Sequence, residues 1–205
     1  MGILHSRATV PLQLVFMDLA GPMRVPAIGP DGREVYRYSL VLQDKFTKKR
    51  WDVPLAAKSD TPSAVRRWVI DTNALTPYKV QRFHSDNGTE FTNNALKDIC
   101  SEFHISQTFS TSYEPRQNGI IERAIGDLTR RARSMLATSN VPIKLWWFAR
   151  NQAVESSNIF GTGDPDDRYT PDELFFQQSG DATLHVPFGC RAFCWRDPRA
   201  GSDPK

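Results

Sequence analysis

From residue 12 to residue 19 the chain reads LQLVFMDL, almost unbroken apolar sequence, and then meets Ala20, Gly21 and Pro22. A short apolar run closed by breakers is the pattern of a buried strand. Two further runs, YRYSLVLQ at 36 to 43 and KRWDVPL at 49 to 55, are joined by DKFTK, which predicts neighbouring antiparallel strands with a tight connection. The rhythm then lengthens. Val65, Trp68, Val69 and Thr72 share one helical face over residues 59 to 73, with Ser59 or Asp60 to cap the start and Pro62 suited to the first turn. A fourth short strand at 79 to 84 leads to Asp86. A helix over 92 to 103 turns Leu96, Ile99, Cys100 and Phe103 inward, and a fifth strand follows at 105 to 109.

The polar stretch 110 to 119, with Pro115 and Gly119, reads as a loop. Beyond it a long helix to about residue 138 carries an apolar stripe of Ile121, Ile125, Leu128, Ala132 and Met135. Glu122 stands about 100° round from that stripe, near its edge. A second helix over 142 to 159 carries Trp146, Trp147 and Phe148, three adjacent aromatics that cannot share one stripe, so core packing and a subunit interface are both open for them. In TPDELF, Thr170, Pro171 and Glu173 form a helix start with a capping box. HVPFGCRAFCW, at 185 to 195, reads as a strand. The expected fold is α/β, a five-stranded mixed sheet flanked by helices. Its expected divisions are a tail at 1–10, a core at 11–160, a linker at 161–169 and a C-terminal extension at 170–205.

Composition agrees with a folded core: 205 residues, 40% of them apolar, with five tryptophans. No run approaches the roughly 18 apolar residues of a membrane span, and the first residues are too polar for a secretory signal, so a soluble intracellular protein is expected. Cys100, Cys190 and Cys194, an odd number without CxxC spacing, point to reduced thiols. The net charge of +3 hides a division. Residues 1 to 154 hold twenty-one Lys and Arg against fourteen acids, whereas residues 155 to 205 hold five against nine. The first part suits a polyanion. Its basic clusters are Lys45, Lys48, Lys49 and Arg50, and Arg123, Arg130, Arg131 and Arg133, residues that hold phosphate backbones without reading sequence or that simply form solvated faces.

Three carboxylates stand in distinctive settings: Asp18 near the end of an apolar strand, Asp86 within HSDNGTEF and Glu122 within PRQNGIIER, with thirty-five residues between the last two. Each has an ordinary reading, as a turn residue, an Asp-Asn-Gly turn or a first-turn helix acid. Brought together, they would form an oxygen-lined site for hard divalent cations, the arrangement that clamps a phosphate during in-line displacement. His84 reads as structural. Cys190, Cys194 and His185 lack a fourth ligand for zinc.

The motifs MDLAGPM (17–23), HSDNGTEF (84–91), YEPRQNGIIER (113–123), RSMLATSNVPIKLWW (133–147), TPDELF (170–175) and FGCRAF (188–193) resemble the catalytic core of retroviral and retrotransposon integrases, most closely that of copia-type elements. The resemblance runs from about residue 11 to 195. It implies a ribonuclease H-like fold in which Asp18, Asp86 and Glu122 are catalytic and hold two magnesium or manganese ions. It also implies 3′-end processing and strand transfer on double-stranded DNA by a multimer, no small-molecule substrate and no membrane, in the nucleus after a stage in cytoplasmic particles. By matching position, Asn87 would orient the substrate, Tyr113, Gln117 and Asn118 would touch the DNA end, and Arg123, Arg130 and Arg131 would contact phosphates.

The chain departs from the pattern in RAIGDLTRR, where Ala124 and Gly126 stand at positions the family commonly gives to Lys or Asn. With ten residues ahead of the core, no His-Cys module before it and no reverse transcriptase after it, the chain is expected to be a fragment, an excised domain, or a decayed or co-opted copy. Two other readings therefore stay open, a non-catalytic DNA-binding or assembly remnant and a nuclease of the same fold from another lineage.

Overall fold

The computed structural model describes residues 8–110, 119–163, 168–178 and 185–190. Five strands form the main sheet: β1 (Val15–Ala20), β4 (Tyr38–Asp44), β5 (Arg50–Leu55), β6 (Arg82–Ser85) and β7 (Ser106–Phe109), in the order β5-β4-β1-β6-β7. β5, β4 and β1 pair antiparallel, whereas β6 joins β1, and β7 joins β6, in parallel. The central strands are the most apolar: β4 is buried from Ser39 to Asp44, whereas the edge strand β7 is exposed or half-buried throughout. The mixed five-stranded sheet predicted from the pattern is therefore the one observed.

Alternation along β1 divides the core into two layers. Val15 and Met17 point to the face covered by α1 (Thr61–Leu75) and α3 (Asn94–Glu102), where they pack with Trp68, Val69, Phe83, Leu96 and Ile99. Leu14 and Phe16 point to the opposite face, covered by α4 (Gly119–Ser139) and α5 (Trp146–Phe160), where they meet Ile121, Ala124, Leu128 and Ala153. The buried stripe of α4 is Ile121, Ala124, Leu128, Ala132 and Leu136. Ile125 and Met135, expected in it, are only half-buried, because the helix is rotated to bring the small Ala124 against the sheet.

α5 is fixed by a buried ion pair. Arg150 Nε donates to Asp52 Oδ2 on β5 at 2.6 Å, and its guanidinium also donates to Thr129 Oγ1 on α4 at 2.9 Å. The two charged side chains are 2% and 1% exposed. α6 (Pro171–Phe176) carries the capping box anticipated at Thr170 and Glu173, and it buries Phe175 in the main core against Trp51. Lys49 pairs with Asp172 on the same helix.

Three local expectations change. A two-stranded hairpin of β2 (Ala27–Ile28) and β3 (Glu34–Tyr36) follows β1, a feature too short and exposed to leave an alternating pattern. The helix expected over 92 to 103 is observed as α3, which starts at Asn94 because Asn93 is extended and its side chain accepts from Leu96 N, and a separate single turn α2 (Thr89–Thr92) precedes it. Residues 185–190 form a turn and irregular chain, with Pro187 O accepting from Cys190 N, so this part of the expected final strand is not a strand. Among the described residues no helix is long and apolar enough to cross a membrane.

Candidate active site

The strongest feature of the site is a register. β1 and β6 pair in parallel with Val15 opposite Phe83 and Phe16 opposite His84, and Asp18 and Asp86 each lie two residues further along the chain, Asp86 just past the end of β6 at Ser85. Both acids therefore belong to the same end of the sheet. Asp18 follows Phe16 by two residues along β1 and so shares its face, and Phe16 and His84 meet edge to face at 5.4 Å. That is the α4 face, and α4 delivers Glu122 in its first turn. The site lies where the sheet changes from antiparallel to parallel pairing.

Local bonds orient the two strand carboxylates. Asp18 Oδ1 accepts from Leu19 N at 2.7 Å, and Asp86 Oδ1 accepts from Gly88 N at 2.9 Å. Three residues beyond Asp18, Gly21 has φ +122, and a Cβ there would meet Arg37 O at 2.7 Å, so glycine is required for the chain to leave the strand. Asp18 and Asp86 are half-buried, and Glu122 is exposed.

Asp18 feels the charges of the other two acids. Burial is the main cause that pushes the Asp18 carboxyl up to about 6. The Leu19 N–H opposes that rise, and the negative charges of Asp86, Glu122 and Glu90 add to it. Among the described residues no three His, Cys, Asp or Glu side chains converge closely enough to make a ready metal-ligand group. The donor set nevertheless fits magnesium or manganese, because it is all carboxylate oxygen and its negative charge is concentrated enough to raise Asp18.

Glu90, the third charge acting on Asp18, was not anticipated. It stands four residues after Asp86 in the same motif, HSDNGTEF, on the single helical turn that follows the Asp86 turn. Its Oε1 accepts from Lys58 Nζ at 3.0 Å. Asn87 is exposed, and its amide donates to Ser110 O at 2.9 Å, so it ties the end of β6 to the end of β7. Tyr113, Gln117 and Asn118 lie outside the described residues.

The arginines of α4 divide. Arg123 is exposed beside Glu122 and donates to Gly119 O at 2.7 Å. Arg130 and Arg131 are exposed but turn to Asp127, at 3.6 and 3.1 Å, and Asp127 also accepts from Arg50 at 2.8 Å. Arg131, nine positions beyond Glu122, lies about half a turn round the helix from it, so the structure does not bring that side chain to the carboxylates. His84 is fully buried, bonds Thr108 Oγ1 at 3.0 Å, and is held down to about 4 by burial and by Lys45. It is structural.

A mixed five-stranded sheet with acids at its pairing switch defines a ribonuclease H-like core, and its solved neighbours are retroviral integrase cores. The family model described as the integrase core domain matches residues 8–115, more than half of the chain, and the chain belongs to that family. The match includes Asp18 and Asp86 and ends before Glu122.

Among its relatives is the retrovirus-related Pol polyprotein from transposon TNT 1-94 of Nicotiana tabacum, 25% identical over 185 residues, which are 89% of this chain and 13% of that protein. Another is the corresponding polyprotein from transposon RE2 of Arabidopsis thaliana, 28% identical over 190 residues, 92% of this chain and 12% of that one. The chain thus spans about an eighth of the length of these polyproteins. The plant transposon matches agree with the copia-type resemblance. A simian T-cell lymphotropic virus intasome, solved with PP2A regulatory subunit B56 gamma, superposes with a TM-score of 0.66 at 16% identity, covering 97% of this chain and 63% of that one. The HTLV-2 integrase catalytic core in complex with magnesium (trimeric form) gives 0.61 at 17%, covering 82% and 99%.

Proposed function

We propose that this chain is the catalytic core of a retrotransposon integrase, which trims the 3′ ends of element DNA and joins them to a target strand. The observation that supports the reading is the parallel pairing of β1 with β6, which brings the stretches of chain carrying Asp18 and Asp86 to one end of the sheet, with Glu122 in the first turn of α4 on the covering helix layer. These three residues would hold two magnesium or manganese ions. Such ions supply the positive charge that activates an attacking oxygen and steadies a departing one. The chain's part is placement. The apolar layer around Asp18 limits water on one side, the Leu19 and Gly88 amides fix two carboxylate oxygens, and Glu122 stands on the exposed first turn of a helix where a DNA strand can reach it.

The ligand is double-stranded DNA, held by its backbone. The basic balance of residues 1 to 154 and the exposed Arg123 support that choice. A homo-oligomer working in the nucleus, after a stage in cytoplasmic particles, is the assembly and location that fit the chemistry. The test incubates the chain with a duplex oligonucleotide bearing a 3′-hydroxyl, a supercoiled plasmid and Mn2+. Nicking and joining should appear, and Asp86→Asn or Glu122→Gln should each reduce them by about a thousandfold or more. Metal-independent products, or products that survive either substitution, would overturn the reading.

A further inference from the structure

Glu90 and Lys58 form a pair at the edge of the carboxylate site that the reaction as described does not use. Glu90 lies on the single turn α2 immediately after the Asp86 turn, and Gly88 separates the two acids. A Cβ on Gly88 would stand 2.9 Å from Asp86 Oδ1 and 2.9 Å from Glu90 Cδ, so the two carboxyl groups straddle one glycine. A side chain there would meet carboxyl ends and no backbone, so glycine lets both lean to the same side without adjustment. Asp18 also feels the charge of Glu90, which places this fourth carboxylate inside the electrostatic reach of the strand pair.

Lys58 comes from elsewhere in the fold. It sits in the short turn Lys58–Asp60 that leads into α1, where its carbonyl accepts from Thr61 Oγ1 at 2.7 Å and the Asp60 carboxylate accepts from Ala57 N at 2.9 Å. That anchored turn aims the ammonium at Glu90 Oε1, 3.0 Å away, and the side chains are 50% and 11% exposed. Asp86 acts on Lys58 as well. A lysine ammonium has three donors, and its positive charge is felt by every carboxylate nearby.

We propose that Glu90 is a positioning residue for the cation site, an outer carboxylate that draws divalent metal toward Asp86, and that Lys58 restrains it by pairing with it. The inference rests on the reading of Asp18, Asp86 and Glu122 as the metal holders. In the absence of metal the Lys58 charge offsets part of the crowded negative charge and keeps Glu90 turned toward α1. The two members of the pair thus act on metal affinity in opposite directions, which a simple structural brace would not do.

The experiment measures Mn2+ binding to the full chain by the electron paramagnetic resonance signal of free Mn2+ and by calorimetry, with thermal unfolding recorded without metal. Glu90→Gln should weaken Mn2+ binding roughly fivefold to tenfold through the loss of one negative charge. Lys58→Met should strengthen it by about the same factor, since it removes both the restraint and a competing positive charge. If both substitutions weaken binding and lower the unfolding temperature together, the pair is a brace and the proposal fails. Unchanged affinity in Glu90→Gln also overturns it. Glu90→Asp, which keeps the charge, should stay closer to wild type than Glu90→Gln if the effect is electrostatic, and the reverse order counts against the proposal. Asp86→Asn separates the two readings. If the wild-type chain takes up no Mn2+, or Asp86→Asn binds it equally well, the metal-site reading falls and this inference with it. If wild type binds, Asp86→Asn does not, and Glu90→Gln is indifferent, only the present inference falls.

Discussion

Asp18 shows what burial beside other acids imposes on a carboxylate. Its carboxyl rises to about 6 because burial, and then three neighbouring anions, disfavour its charged form more than the Leu19 N–H favours it. An aspartate whose folded value lies above its unfolded one, near 3.9, favours the native state fully below that unfolded value, and the advantage is lost as pH rises toward 6. At neutral pH the charged Asp18 therefore opposes folding by at most about 3 kcal/mol, reduced by solvent at the mouth of the site. Asp18→Asn should raise the melting temperature of the metal-free chain at pH 7.5 by roughly 3 to 6 °C, and the gain should vanish near pH 4. Thermal unfolding followed by circular dichroism at the two pH values checks this. An equal gain at both would point to packing instead. His84 works in the opposite sense, since burial depresses it and its protonation weakens the fold as pH falls toward 4.

At the level of elements, the clearest dependence is that of α5 on its ion pair with β5. Removing one partner leaves the other charge buried and uncompensated, so Asp52→Ala or Arg150→Ala should cost about 3–5 kcal/mol in urea unfolding. The double replacement Asp52→Leu with Arg150→Met should recover much of that loss, which isolates the unpaired charge as the cause. The elements themselves were largely readable from apolar rhythm, because β1, β4, α1 and α4 each bury a continuous face or run. Features set by tertiary partners were not. Nothing in PDELFF says that Phe175 turns into the main core, since a helix of six residues has too few positions for a stripe to declare its direction. The β2–β3 hairpin was hidden because Glu34 and Val35 are exposed, leaving no contrast between the two faces. Asp18, Asp86 and Glu122 could be picked out by context, but which strands carry them side by side depends on a strand order and register that no local pattern specifies.

Charge distribution acts on the whole molecule. The basic surcharge of residues 1 to 154 suggests an open phosphate-binding surface, yet Asp127 engages Arg50, Arg130 and Arg131. That constraint was partly visible beforehand, because Asp127 precedes Arg130 and Arg131 by three and four residues, the spacing of neighbours on a helix. Asp127→Asn should release part of this charge and strengthen non-specific duplex DNA binding roughly threefold at low salt, with a steeper salt dependence. Fluorescence anisotropy across a salt series measures both, and weaker binding would mean that Asp127 orders the arginines for DNA instead of withholding them. The parallel pairing of β1 with β6 has one more consequence, for how such a chain erodes. Substitutions at most sheet positions leave the pairing of β1 with β6 intact. A single residue inserted between Ser85 and Asp86 would leave every strand in register, yet move the second acid one step further from the strand end that carries it. Small insertions and deletions in these few codons, more than the gradual wear of point changes, are the events that would part the fold from its chemistry.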